Sequence, residues 1–249
     1  MRSLCNRKHS FSNVPKGVTA VGTLTVTITN MTHIDRDNHT EHQFNAYVDY
    51  YLTFPSYLAS YKKSFDILIK DVLDTKSHVD YIAYPILFLA RHCMELGLKT
   101  NIRYFAKYSE KDNFVKAGTH NLEDLFHAFK IHVEKTFENL KTKYQIVIEK
   151  DDKKAFRDLC DEVEKLKNIF HALDKNSDAF RYPIDKQQNP SFKKGERISI
   201  LDVNELLEKS MTLFIHTANV FEKYTDYADQ IEDYYEGLMR EQYEQNLPY

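Results

Sequence analysis

Arg91, Glu95 and Lys99 recur at four-residue intervals in YPILFLARHCMELGLK, the stretch from Tyr84 to Lys99. On a helix this spacing sets all three on one face, with His92 beside them. The neighbours are almost all apolar, and a charge enclosed by apolar groups is costly unless it is paired. Two chemistries fit. Arg91 and Glu95 could form an internal ion pair that organises the surrounding helices. Alternatively, Arg91 and Lys99 could line a polar pocket that receives an anion such as a phosphate. Two further segments carry groups of the same kind. His120, in THNLEDL, could act as a general base or a phosphate contact, or be a satisfied boundary histidine. Arg181, between aromatics in DAFRYP, could reach a carboxylate of the bundle or a ligand with its planar fork of donors. The candidate binding set is therefore Arg91, His92, Glu95, Lys99, His120 and Arg181.

The elements that must position these residues are mainly helical. Leu58, Tyr61, Phe65, Leu68 and Val72 step by three or four, which predicts a helix over 55–73 with Pro55 near its first turn. Residues 79–107 are apolar on most sides and read as a central, buried helix. Asn121 is positioned to cap a third helix, with Asp124 at the capping-box position and a stripe from Leu122 to Tyr144. A fourth helix is expected from Asp152, with Phe156, Leu159, Val163, Leu166, Phe170 and Leu173 as a nearly heptad seam. Residues 180–184 and 197–201 read as a β-hairpin around a polar loop, its first strand confined to an edge by Pro183. The last helix spans 203–243, longer than its neighbours. Ahead of all this, VTAVGTLTVTIT at 18–29 alternates with period two and predicts a strand beside the hairpin. The expected architecture is a mainly α, up-and-down helical bundle over 43–249 with a small β-hairpin. An amino-terminal polar segment and β-strand occupy 1–42.

Composition narrows the function classes. Of 249 residues, 42% are hydrophobic and Gly and Pro number six each, which favours long helices over short strands. The formal net charge of −3 gives no global field for nucleic acid, and no DNA partner is expected. Cys5, Cys93 and Cys160 form no CxxC pair, so neither disulfides nor a cysteine zinc site is expected, in keeping with a reducing cytoplasm. The first twenty residues lack an apolar run, which argues against a signal peptide. The apolar run from Tyr84 to Met94 is too short for a membrane span and contains Arg91. His33, His39 and His42 near Asp35 and Asp37 have metal-ligand types, but a polar loop accounts for them better. No GxGxxG, P-loop, HExxH or GxSxG occurs, so no metal or cofactor is expected.

RHCMELGLK, HNLEDL and FRYP, in that order and with helical spacers, resemble a bacterial branch of the HEPN (higher eukaryotes and prokaryotes nucleotide-binding) superfamily over about residues 79–245. The resemblance implies a helical bundle that frequently forms a homodimer. It also implies a role as an RNA-cleaving toxin or phage-defence protein, or as a binder of nucleotides, RNA or protein partners. Catalytic members use an Arg, a short spacer and a His late in the bundle, the His as acid or base and the Arg against the phosphate. No such pair follows Arg91, Arg103, Arg157, Arg181, Arg197 or Arg240. Arg2 with His9 and Arg36 with His42 fit the spacing but precede the bundle; Arg36, followed as in the family by a polar residue, Asp37, is with His42 the catalytic candidate of this type. Two functions follow as expectations. One is a HEPN-like protein that binds RNA, a nucleotide or another phosphate-bearing partner in stress or phage defence. The other is a dimeric, non-enzymatic interaction module.

Overall fold

Thr53 sets where the first helix begins. Its hydroxyl accepts a hydrogen bond from the Ser56 N–H at 3.3 Å, and Pro55 falls in the first turn, where a missing N–H costs nothing. The computed structural model describes residues 46, 52–110, 119–175, 180–184 and 187–245. The chain divides into two units, Met1–Tyr47 and Val48–Tyr249, and all the described helices belong to the second. The strand expected at 18–29 and the polar segment around it lie outside the described residues.

Six helices form the second unit: α1 (Phe54–Thr75), α2 (Val79–Ser109), α3 (Leu122–Lys143), α4 (Lys150–Glu164), α5 (Lys167–Lys175) and α6 (Ile200–Gln245). They make a helical bundle, as the periodicity requires. Helix α2 is its axis and packs against α1, α3, α5 and α6, which explains why its sequence is apolar nearly all round. Gly97 lets α6 come close, since a Cβ there would lie 2.3 Å from the Phe214 ring. Phe105, Phe129, Phe156 and Phe221 are fully enclosed and meet edge-to-face, with Phe129 and Phe156 centroids 5.8 Å apart. Asn121 caps α3 as expected: its side-chain oxygen accepts from the Asp124 N–H at 2.7 Å. No helix among the described residues is long and apolar enough to cross a membrane.

Three expectations need correction. The seam from Phe156 to Leu173 is broken at Lys165 and Leu166 into α4 and α5. Both halves still bury the predicted residues, because Phe156, Val163, Phe170 and Leu173 all face the core.

The expected β-hairpin is absent: residues 180–184 and 197–201 do not pair as strands. Among the described residues the only β contact is an isolated bridge between Ile184 and Pro190. The loop closes locally instead, with the Ser191 N–H donating to the Pro183 carbonyl at 2.9 Å.

The last helix also starts earlier than expected. Ile200 and Leu201 are its first turn, with the Ser199 hydroxyl accepting from the Asp202 N–H at 3.2 Å. Ser199 and Asp202 have capping-box spacing, and a capped helix start satisfies N–H groups that a short exposed strand would leave open.

Candidate functional site

The helical repeat of α2 brings Arg91, Glu95 and Lys99 onto one side, and the residue just before the α3 cap completes the group. Glu95 is the centre. Its Oε1 accepts from Lys99 Nζ at 2.7 Å and from His120 Nδ1 at 2.7 Å, while its Oε2 accepts from Arg91 Nη1 at 3.1 Å. Arg91 Nη2 also donates to the backbone carbonyl of His120. His120 is thus held twice, by the carboxylate through its ring and by the guanidinium through its backbone.

Exposure grades across the cluster. The side chains of Arg91 and Glu95 are 8% and 6% exposed, Lys99 is 21% exposed and His120 71%. The deep end is a buried ion pair and the shallow end is an imidazole in water. Two cations, Arg91 and Lys99, converge on this carboxylate. Burial opposes ionisation of Glu95, but the hydrogen bonds from Lys99 and His120 outweigh it and hold the carboxyl below its usual range. An ionised carboxylate only accepts hydrogen bonds, so His120 carries its proton on Nδ1 toward Glu95. Its Nε2 is then the ring nitrogen available to a ligand, an arrangement in which a carboxylate fixes tautomer and orientation.

The structure divides the six expected binding residues. Arg91, Glu95, Lys99 and His120 come together. His92 turns to another side of α2, stacked on Phe88 at 5.6 Å and edge-on to Tyr61 at 4.5 Å. Burial is the main reason its imidazole titrates below the usual range, reinforced by the nearby Arg91, Lys99 and His120. Arg181 is exposed and stands over the Tyr182 ring at 5.7 Å, beside a depression lined by Tyr84, Phe180 and Phe192. Arg36 and His42 lie outside the described residues, as does the His33, His39 and His42 group. Among the described residues no cluster has the composition of a metal site.

Nothing in the sequence pattern signals a second histidine contact, between Ser109 Oγ and His132 Nδ1 at 2.7 Å. A serine and a histidine at that distance could be a nucleophile and its base. Both are buried, at 2% and 0% exposure, so no substrate reaches them and they tie the end of α2 to α3. Cys93 and Cys160 are free, buried thiols whose burial pushes them up to about 12, which makes them unreactive.

Comparison of the chain with protein-family models, with curated proteins and with solved structures finds no match.

Proposed function

We propose that the cluster around Glu95 is a phosphate-receiving site in a HEPN-like helical protein, and that its ligand is RNA, a nucleotide or another phosphate-bearing partner. The observation that carries this reading is a solvent-facing imidazole, oriented by Glu95, beside the cation Lys99 at the rim. Lys99 supplies charge against a phosphate at the rim, and His120 Nε2 supplies a hydrogen bond or a proton relay. Arg91 keeps Glu95 in place from below. A role in stress or phage defence is in keeping with the resemblance. Standard HEPN ribonuclease chemistry is not part of the proposal, because no arginine of the bundle is followed by the required spacer and histidine. Calorimetric titration of the full chain with inorganic phosphate, AMP and a short RNA tests the reading. Lys99→Ala and His120→Ala should each weaken the tightest of these by at least about tenfold. The reading fails if none of the three binds, or if both variants bind as well as the parent chain.

One observation favours a second reading, an interaction module that pairs with its own copy. In α6 the buried positions end at Ala228, yet an apolar stripe continues through Ile231, Tyr235 and Met239 to Tyr243. Seven acidic residues but only one cation, Arg240, lie from Asp226 to Gln245. Pairing of two such helices is therefore expected to strengthen with salt, which screens the repulsion. Light scattering at tens of micromolar and two salt concentrations decides it; a monomer mass at both removes this reading.

A further inference from the structure

The end of α6 carries an apolar side that the bundle does not cover. At 3.6 residues per turn, Tyr227, Ile231, Tyr234, Tyr235, Leu238 and Met239 share one side of the helix. Buried positions stop at Ala228, and about 25 Å of helix follows it to Gln245. Tyr234, Tyr235 and Met239 are each at least 62% exposed, and a row of open apolar groups of this kind marks a surface that meets a partner. Where α6 leaves the bundle, Tyr227, Ile231 and Tyr234 border a depression of about 370 Å³ against Lys143, Tyr144 and Gln145 at the end of α3. The charge around this side has one sign. Lys107 meets Asp229 at 2.7 Å, and Lys143 is held by both Glu110 at 2.8 Å and Glu232 at 3.1 Å, so these cations are already matched. Asp226, Asp233, Glu236, Glu241 and Glu244 are exposed and form no ion pair among the described residues. Five open carboxylates thus stand against one cation, Arg240, a net charge of about −4. The negative end of the helix dipole adds to it, since the last turn has no basic residue.

We infer that this side of α6 docks a basic amphipathic helix of a partner protein. Apolar residues of the partner, spaced by three and four, pack along the stripe, and the depression beside α3 receives one of them as an anchor. A helix is about 10 Å across, so cations of a helix laid on the stripe come within about a Debye length of the carboxylates on the flanks. That attraction steers the partner in and fixes its orientation, while the apolar stripe supplies the contact area. A second copy of the chain would bring the same excess of acid to the same place. A nucleic acid or an anionic lipid surface would likewise meet these carboxylates with like charge. The inference does not draw on the Glu95 site, and it gives the end of α6 an occupant other than a second copy.

The test is fluorescence anisotropy of the full chain with a labelled amphipathic helical peptide of leucine and lysine. A leucine–glutamate counterpart and a serine–lysine peptide of equal charge serve as comparison probes. The leucine–lysine peptide should bind at least about tenfold more tightly than either. Tyr235→Ala and Met239→Ala should each weaken its binding by about fivefold or more. Both side chains are exposed, so the melting temperatures of these variants should match the parent chain. Affinity should fall as salt rises, and should fall less steeply when Glu241→Gln and Glu244→Gln are combined. Absence of leucine–lysine binding, equal binding of either comparison probe, or binding that both stripe variants leave unchanged would overturn the inference. So would a free chain that is already a dimer and becomes a monomer in Tyr235→Ala, since a second copy then occupies this side. None of these outcomes bears on phosphate binding at Glu95, which is read through Lys99→Ala and His120→Ala.

Discussion

Glu95→Ala removes the carboxylate that Arg91, Lys99 and His120 share. Lys99 and His120 are near enough to the surface to relax into water. Arg91 is not: its side chain is 8% exposed and its remaining contacts include the carbonyl of His120. Breaking a buried pair from one side costs about 3–5 kcal/mol, because the other charge stays behind. Arg91 keeps its other contacts, the His120 carbonyl among them, which argues for the lower end, about 3 kcal/mol. For a chain of this size that corresponds to a fall in melting temperature of about 6–12 °C. The assay is thermal unfolding followed by circular dichroism at neutral pH, with Lys99→Ala as the control. Lys99 is partly exposed, so its loss should cost about 1 kcal/mol or less. A pH dependence accompanies this cost. Glu95 is held below its ordinary value of 4.5, so its contribution is complete above that pH and disappears as pH falls through the lower folded-state value. Glu95→Gln should therefore flatten the acid limb of the stability profile. If Glu95→Ala melts within about 2 °C of the parent chain, less than about 1 kcal/mol was at stake. The cluster would then be open to solvent, and its role in holding the fold would be refuted.

Gly97→Ala should lower stability by about 1–3 kcal/mol through overpacking, since the new methyl would meet the Phe214 ring at 2.3 Å and that ring is itself packed edge-on with Phe129 at 6.0 Å; chemical denaturation measures it, and an unchanged midpoint would mean the helices can separate at no cost. His92 is held below its ordinary value of 6.5 chiefly by burial, so its contribution is full above that pH and wanes as pH falls below it. The drop in melting temperature between about pH 7.5 and 5.5 should therefore shrink in His92→Gln, and an identical drop in both would remove His92 as the cause. Asn121→Ala removes the side-chain cap of α3 and should cost about 1 kcal/mol, read as a lower denaturation midpoint at constant slope.

The helices are legible in the sequence because each carries a stripe with helical period and most carry a recognisable end. Asn121 with Asp124 marks the start of α3, and Pro55 that of α1. Sequence and structure part where two periods compete over a few residues. Arg197–Leu201 alternates as a strand does, but Ser199 and Asp202 also have capping spacing, and the cap prevails because it starts a helix that buries Val203, Leu206 and Leu207. The break between α4 and α5 has no Gly or Pro to announce it. At the site, the four-residue spacing within α2 is enough to bring Arg91, Glu95 and Lys99 together. His120 joins them for a reason one sequence shows only faintly: the α3 cap places it opposite Glu95. Arg181 depends on the path of a loop, for which no periodicity exists, and it comes to rest among aromatics.

Depth within the Glu95 cluster separates what holds the fold from what could meet a ligand. Arg91 and Glu95 lie beneath the surface, so changes there register as stability whether or not a ligand exists. Lys99 and His120 lie at the rim, where a paired side chain contributes little to folding but decides what an arriving anion touches. A purely structural cluster therefore predicts that Lys99→Ala and His120→Ala are silent in every assay. A binding site predicts that they melt normally yet lose affinity, and that their effects on affinity fall short of additive because both contact Glu95 Oε1. The double variant supplies the decisive measurement. If its loss of phosphate or RNA affinity equals the sum of the single losses, Lys99 and His120 act on the ligand independently and the shared carboxylate does not organise them. If the sum exceeds the double loss, Glu95 couples the two, and the carboxylate that stabilises the bundle also sets the geometry of the rim.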